Sequence, residues 1–325
     1  MVTVAIRAAV VLAGGKAERF QTRGERWRDK ALAEFHGKPL LVHVTKRVRE
    51  AVGKILVIVN TTERKAMYRD VFFDHQVEGV EIYVDEKMGR CEGPLLGMAT
   101  GMKYADARFC LVLPCDTPLL KYDVIKHLFN KAERSDVTVP TWPNGTVEPV
   151  LSVYARKPSF RLAKLLCLLG RKRPDDVIRG SSKVTFLSIT SELAQLDPIY
   201  ETFVNINRIE DLDSPPMPSM SRGPVTESFQ LISPGLQHIE AIELSKAIAP
   251  AEEGLAKATD MLESTANRLE GRGANFWAGI VREIEGKTLF KLAKGRETAR
   301  KAALMRKGKE AFRKAAQNFD LETEF

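Results

Sequence analysis

Short runs rich in Val, Ile and Leu alternate along the chain with longer stretches whose apolar residues recur at helical spacing. Arg7–Leu12, Lys54–Val59 and Phe109–Leu113 are runs of the first kind, closely followed by Gly, Asn or Asp, and each reads as a buried parallel strand. Leu40–Val52, Leu95–Tyr104 and Val124–Lys131 carry the helical pattern. Strand and helix in alternation predict an α/β fold: a mostly parallel sheet covered on both faces, with right-handed crossovers and ligands at the carboxyl ends of the strands.

After Asp213 the pattern stops. Ser214-Pro215-Pro216-Met217-Pro218-Ser219 and Ser221-Arg222-Gly223-Pro224 cannot sustain helix or strand, so residues 214–235 read as a Pro-rich linker. Residues 236–325 are rich in Ala, Glu, Lys and Arg with helical periodicity, broken near Pro250, Gly271-Arg272-Gly273 and Gly286. That predicts three or four helices in a small all-α C-terminal domain. The expected organisation is a nucleotide-binding domain over 1–213, the linker, and a helical domain of unassigned role.

Composition narrows the class. A chain of 325 residues that is 44% hydrophobic can bury a full core, and its length favours one large and one small domain. No run approaches the roughly 18 unbroken apolar residues of a membrane span, and Met1–Val11 carries a lone Arg7 and no secretory cleavage pattern. A cytoplasmic enzyme without membrane contact is expected. Cys91, Cys110, Cys115 and Cys167 lack CxxC spacing and an accompanying His cluster, so zinc and disulfide frameworks are both disfavoured and the four read as reduced thiols. The net charge of +8 suits a polyphosphate substrate, a nucleic acid or a membrane surface. Between Lys287 and Lys314 basic residues far outnumber acidic ones. A solvated helical face is the expected reading of that stretch, ahead of a nucleic-acid patch.

The candidate chemistry lies where the predicted strands end. The first runs into Leu12-Ala13-Gly14-Gly15-Lys16-Ala17-Glu18-Arg19-Phe20, and a basic stretch follows to Asp29-Lys30-Ala31-Leu32. Glycines let backbone N–H groups approach phosphate oxygens, and Arg19 and Lys30 can neutralise a triphosphate. A tight turn explains Gly14-Gly15 equally simply. The spacing matches neither the GxGxxG fingerprint nor the P-loop, which disfavours a dehydrogenase and a P-loop kinase. The third strand ends in Pro114-Cys115-Asp116-Thr117-Pro118. One carboxylate there suffices to anchor Mg²⁺, which prefers one or two carboxylates plus substrate phosphates; a turn-capping Asp116 is the alternative. Gly93-Pro94-Leu95 opens a helix. Asn205 and Asn207, separated by one residue before Glu210-Asp211-Leu212, would share a face of an extended segment and point at a metal–phosphate site, or Asn207 would cap a helix.

Taken in order, Leu12-Ala13-Gly14-Gly15 with Asp29-Lys30, Gly93-Pro94-Leu95, Pro114-Cys115-Asp116-Thr117-Pro118 and Asn205-Ile206-Asn207 with Glu210-Asp211-Leu212 resemble the molybdenum cofactor guanylyltransferases over about residues 4–213. The resemblance implies a Rossmann-like three-layer nucleotidyltransferase domain. It implies GTP and a phosphorylated pterin as substrates, Mg²⁺ as the ion, and molybdoenzymes or molybdenum-insertion proteins as candidate partners. By analogy, Leu12, Ala13, Gly14 and Gly15 wrap the nucleotide, Lys30 meets its phosphates, Asn60, Asp85, Gly93 and Pro94 line the nucleotide site, and Asp116 holds the metal with Asn205 and Asn207 nearby. Lys30, Asp116 and Arg19 form the catalytic set. No protein nucleophile is required, because catalysis would rest on positioning and electrostatics.

Three departures from the family pattern stand out. The stretch between Phe20 and Asp29 is lengthened and carries Arg23, Arg26, Trp27 and Arg28, Arg208-Ile209 replaces Thr-Pro, and the helical region has no counterpart in the minimal fold. Arg171, Lys172 and Arg173, followed by Pro174-Asp175-Asp176, could hold the acceptor phosphate or form an ordinary exposed loop. Competing readings keep the chemistry with CTP, cobinamide phosphate or a sugar 1-phosphate. A reading of another class makes the chain a nucleic-acid-binding or scaffold protein acting through its basic tail.

Overall fold

The computed structural model describes residues 5–21, 27–218, 223–294 and 296–323. Arg23, Arg26, Ser219, Ser221 and Arg222 therefore lie outside the described residues. The strands are β1 (Ala5–Leu12), β2 (Glu34–Phe35), β3 (Lys38–Pro39), β4 (Lys54–Val59), β5 (Val80–Val84), β6 (Ala107–Pro114), β7 (Val137–Thr141), β8 (Ser152–Ala155), β9 (Lys183–Ser188) and β10 (Phe229–Ile232). The helices are α1 (Leu40–Val48), α2 (Thr62–Asp74), α3 (Pro94–Tyr104), α4 (Tyr122–Ala132), α5 (Arg156–Leu168), α6 (Asp175–Gly180), α7 (His238–Glu252), α8 (Ala256–Gly271), α9 (Asn275–Ala293) and α10 (Thr298–Thr323). Two compact units result: Met1–Ile178 with Lys183–Leu231, and Arg179–Ser182 with Ile232–Phe325.

The first unit is built on a mixed sheet of eight strands in the order β10-β9-β7-β8-β6-β1-β4-β5. β1 pairs in parallel with β4 and β6, β4 with β5, and β7 with β9, while β8 runs antiparallel to both its neighbours. Ala8 through Val11 are fully buried, as expected for a strand covered on both faces. This is a Rossmann-like α/β fold, and its three predicted strands lie within β1, β4 and β6. The register Val11↔Leu113 and Leu12↔Pro114 brings the ends of β1 and β6 level. The glycine turn after one and Asp116 after the other thereby become neighbours, at the edge where α/β sheets take ligands.

α3 lies close against this sheet. A Cβ at Gly97 would sit 3.1 Å from a Leu12 methyl, and one at Gly101 would sit 2.1 Å from Val10 Cγ1. A smaller apolar cluster of Phe20, Phe35, Leu40, Val204 and Ile206 fixes the start of the lengthened loop and the Asn205–Asn207 segment. Phe20 is 2% exposed there.

Several expectations change. The stretch read as a linker contributes β10, whose Phe229 stacks on Phe186 with ring centroids 4.7 Å apart; the Pro and Ser residues before it masked a short β-prone run. Gly286 does not break a helix but lies buried inside α9. Its missing side chain makes room for Phe312, 2.8 Å from where a Cβ would be, and Gly308 in α10 does the same for Phe290. Close approach, not termination, explains both glycines. Cys91 and Cys167 are joined as a disulfide with Cα atoms 4.8 Å apart, whereas Cys110 and Cys115 are free. Their separation of 76 residues gave no local pattern to read.

In the second unit α7 ends shortly after Pro250 and α8 at Gly271. Arg282, 2% exposed, is satisfied by Glu270 and Glu285, and Asn318 donates to Glu270 from α10. A buried guanidinium demands such partners. No helix of the described residues is long and apolar enough to cross a membrane.

Gly101 gives a test in which two effects oppose. Helix propensity favours Ala over Gly by about 1 kcal/mol, but overpacking a core costs about 1–3 kcal/mol, and a contact at 2.1 Å forces backbone movement. We expect Gly101→Ala to lower the unfolding free energy by about 2 kcal/mol in denaturant titration. An unchanged or raised midpoint would mean that α3 does not press on β1 as described.

Candidate active site

Lys30 and Asp116 form an ion pair at the carboxyl edge of the sheet, with side chains only 12% and 16% exposed. The Lys30 ammonium also donates to Asn207 Oδ1 at 3.3 Å, and Arg19 reaches the same oxygen at 3.4 Å. Lys30 thus bridges the Asp116 carboxylate and the Asn207 amide oxygen, and Arg19 joins it on that amide oxygen. Asp116 Oδ1 is buried without a hydrogen-bond partner, while Asp116 Oδ2 accepts from Lys30. An orphaned carboxylate oxygen is costly to bury and is the kind of hard oxygen donor that Mg²⁺ takes. Among the described residues no group of three or more His, Cys, Asp or Glu could hold a metal, so any cation here would complete its shell from phosphates and water.

Behind this pair lies a layer the sequence reading missed. Asp29 accepts from the Ala31 N–H (3.0 Å) and the Tyr68 hydroxyl (2.9 Å), and pairs with Arg64 Nε (3.1 Å). It therefore fixes the single turn Lys30–Leu32 that aims Lys30. Arg64, 8% exposed, also donates to the Gly15 carbonyl and to Asn60 Oδ1, both at 3.0 Å. One guanidinium ties together the glycine turn, Asn60 and Asp29. The signal was present in the spacing: Arg64 and Tyr68 are four residues apart, on one face of the helix that follows Asn60.

The glycine turn is tightly bounded on one side only. A Cβ at Gly14 would meet the Asn60 backbone nitrogen at 3.1 Å, whereas one at Gly15 would meet nothing within 4 Å. Ala13 is anchored by its N–H to the Ile58 carbonyl at 2.8 Å. The lengthened loop is closed at its base by Gln21, which donates to the Arg28 carbonyl (3.0 Å) and accepts from the Arg28 N–H (2.8 Å). Trp27 donates to the Lys16 carbonyl at 3.4 Å, and the Arg64 guanidinium lies 4.9 Å from the Trp27 ring centroid.

Asp85 follows β5, with its N–H on the Val59 carbonyl at 2.8 Å. Its Oδ1 is buried without a partner and lies 3.6 Å from the Cβ that Gly97 lacks. Burial raises its carboxyl from 3.8 to about 6. Gly93, at φ +78°, caps α3 and Pro94 occupies its first turn. Leu12, Asp85 and Gly97 thus lie together beside the glycine turn, away from the Lys30–Asp116 pair in sequence but at the same strand ends.

Two expected groups are placed differently. Asn205 and Asn207 are not in a strand; Asn207 faces Lys30 and Arg19, but the Asn205 amide donates locally to the Phe203 carbonyl at 3.2 Å. Val204 and Ile206 are buried in the apolar cluster, and the Ile206 N–H bonds the Asp116 carbonyl at 3.0 Å, which sets Asn207 beside the carboxylate. Asp211 supplies the cap in place of Asn207, accepting the N–H groups of Asn207 (2.6 Å) and Arg208 (2.8 Å). The Arg171-Lys172-Arg173 loop is not a set of free cations. Arg171 binds Asp176 bidentately at 2.9 Å, Lys172 pairs with Glu92, and Arg173 pairs with Asp175 at 2.8 Å. The acidic residues that follow in sequence fold back on the basic ones. Asp176 is 1% exposed, so Arg171 serves the fold, while the pairs of Lys172 and Arg173 are at the surface and weak.

This geometry agrees with what the chain is similar to. Residues 9–184 match the family model of the MobA-like NTP transferase domain, a little over half of the chain. A probable molybdenum cofactor guanylyltransferase of Pyrococcus horikoshii is 32% identical over 208 residues, covering 63% of this chain and 96% of that protein. A probable molybdenum cofactor guanylyltransferase of Methanosarcina acetivorans is 28% identical over 209 residues, covering 64% and 89% respectively. The crystal structure of molybdopterin-guanine dinucleotide biosynthesis protein A from Archaeoglobus fulgidus superposes with a TM-score of 0.51 at 22% identity, over 64% of this chain and 95% of that one, and so shares the fold. With its family matched over the same strands that carry the Lys30–Asp116 pair, the chain is a nucleotidyltransferase belonging to the MobA-like NTP transferase family.

Proposed function

We propose that the protein transfers GMP from GTP to the phosphate of molybdopterin, with release of pyrophosphate. The observation that carries this reading is the chain of contacts from Arg19 through Asn207 to Lys30 and on to Asp116, a carboxylate with one buried, uncompensated oxygen. Such a site suits a metal-chelated triphosphate. An acceptor phosphate oxygen bonds to the α-phosphorus while the bond to the pyrophosphate oxygen breaks, and pyrophosphate leaves with that electron pair. Lys30 and Arg19 offset charge on the phosphates, and the glycine turn offers backbone N–H groups. Asp116 would hold Mg²⁺, which when bound supplies charge neutralisation for the triphosphate. Asp29, Arg64 and Tyr68 are positioning residues that keep Lys30 and the glycine turn fixed.

A covalent route through the protein is not supported. Cys115 is the thiol adjacent to Asp116, and burial, reinforced by the neighbouring Asp116 charge, pushes it far above its ordinary value, so the thiolate is scarce. Asp85 suits the donor edge of guanine, because an ionised carboxylate accepts from both a ring N–H and an amino group. For the acceptor, Lys172 and Arg173 are the exposed cations whose partners a phosphate could displace.

Two outcomes are expected. In an assay of pyrophosphate release with phosphorylated pterin and each nucleoside triphosphate in turn, GTP should support turnover at least tenfold above CTP; a preference for CTP would overturn the guanine assignment. Asp85 should show opposing effects on stability and binding. Well below 3.8 its carboxyl is neutral in folded and unfolded chains alike. Between 3.8 and about 6 the unfolded chain ionises first, so a penalty for folding builds through that window and persists above it. Asp85→Asn should therefore raise the melting temperature at pH 7.5, leave it nearly unchanged at pH 3.5, and weaken GTP binding at least tenfold. Unaltered GTP affinity would remove Asp85 from the base pocket.

A further inference from the structure

One stretch of the second unit carries a concentrated positive charge that nucleotide transfer does not use. From Lys287 to Lys314 there are eleven Lys and Arg against two Glu, a surplus of nine, where the whole chain has a net charge of +8. The remaining residues are close to neutral. The second unit as a whole has 17 Lys and Arg against 14 Asp and Glu, so its cations are concentrated in this stretch while 12 of its 14 carboxylates lie outside it.

The structure shows how these cations are displayed. Gly308, Ala311, Ala315 and Asn318 are buried in α10, and Arg306, Lys309 and Arg313 lie exposed on the opposite side. Lys294, Arg296, Arg300 and Lys301 are also exposed. Among the described residues, none of Lys294, Arg296, Arg300, Lys301, Arg306 and Lys309 has an ion-pair partner. An ordinary solvated helix face interleaves opposite charges at i,i+4. Opposite charges are interleaved at two places, Glu283 with Lys287 and Glu310 with Arg313, whereas Lys309 and Arg313 also stand at i,i+4 with like charge, an arrangement that destabilises isolated helices.

We infer that the outward face of α9–α10 binds the phosphodiester backbone of nucleic acid. The uncharged residues between the cations select this partner over two others. Ala299, Ala302, Ala303 and Ala316 are exposed on α10, and among the described residues none of the exposed large hydrophobic side chains belongs to α9 or α10. A membrane-surface helix needs bulky apolar residues to insert, and a protein interface needs aromatic or aliphatic anchors. Small side chains between unpaired cations let a polyphosphate backbone approach closely, and release of its counterions supplies the affinity. With no exposed aromatic on these helices to stack on bases, the contact reads charge and not sequence.

The test is fluorescence anisotropy of the full chain with a labelled 30-nucleotide single-stranded RNA and a 30-base-pair DNA duplex across a salt series. Poly-glutamate of similar charge and anionic phospholipid vesicles serve as competitors. Nucleic acid should bind, with log affinity falling against log salt at a slope of about −3 to −5 for duplex DNA, since about 0.9 counterions leave per phosphate neutralised. Comparison of the RNA and DNA arms gives the preferred strand form. The triple variant Arg300→Gln/Arg306→Gln/Lys309→Gln should bind at least tenfold more weakly, with a shallower slope, while Lys46→Gln/Arg47→Gln on α1 should bind like the wild type. Circular dichroism confirms that the variants remain folded, and the wild-type salt slope needs no variant at all. The inference is overturned by absence of binding at 50 mM salt, by a slope near zero, by a triple variant within twofold of wild type, or by displacement with poly-glutamate or vesicles as effective as with unlabelled nucleic acid.

Discussion

A carboxylate and an ammonium held together at the end of a parallel sheet, both nearly out of water, govern the arrangement of the first unit. Asp116 is worth burying only because Lys30 compensates it, and removing either would leave an unpaired charge in a poorly solvated place. The compensation is incomplete: one Asp116 oxygen has no partner. Around that deficit the surrounding structure becomes intelligible. Asp29, Arg64 and Tyr68 hold the turn that carries Lys30, the Ile206 N–H holds the Asp116 backbone, and Asp211 holds the segment that presents Asn207. Each supporting group is itself hydrogen-bonded, so the pair sits in a pre-set frame.

How far this could be read from the chain depended on the range of the interaction. β1, β4 and β6 were legible because a strand buried on both faces has a local signature of continuous Val, Ile and Leu. α1, α3 and α4 were legible from periodicity. Lys30 and Asp116 were singled out because each sits beside a turn or strand end, but their pairing spans 86 residues and has no local mark. Asn205 was misplaced for a similar reason. Alternation in Phe203–Asn207 suggested a strand with paired amides, yet the segment makes no strand pairing and its amide bonds within the turn. In the basic loop at Arg171 the sequence showed the charges but not their partners: Asp176 pairs with Arg171, Asp175 with Arg173, and Glu92 with Lys172.

Glycine illustrates the same limit in both units. Gly286 reads as a helix breaker by propensity, whereas in the structure Gly286 and Gly308 are the recesses into which Phe312 and Phe290 fit. Gly97 and Gly101 have the corresponding role between α3 and β1. Propensity is local, and close packing between distant elements overrides it. The two units also divide the chemistry. The Lys30–Asp116 pair of the first is nearly out of water, while the cations of α10 are many and exposed, which fits a compact triphosphate in one case and an extended polyanion in the other.

The central claim is that Asp116 Oδ1 lacks a partner because a Mg²⁺–triphosphate complex completes it. Calorimetric titration of GTP with and without Mg²⁺, on the wild type and on Asp116→Asn, tests this directly. The account predicts that Mg²⁺ tightens GTP binding to the wild type at least tenfold and that the variant loses most of this dependence while remaining folded. Equal coupling between Mg²⁺ and GTP in both proteins would contradict it.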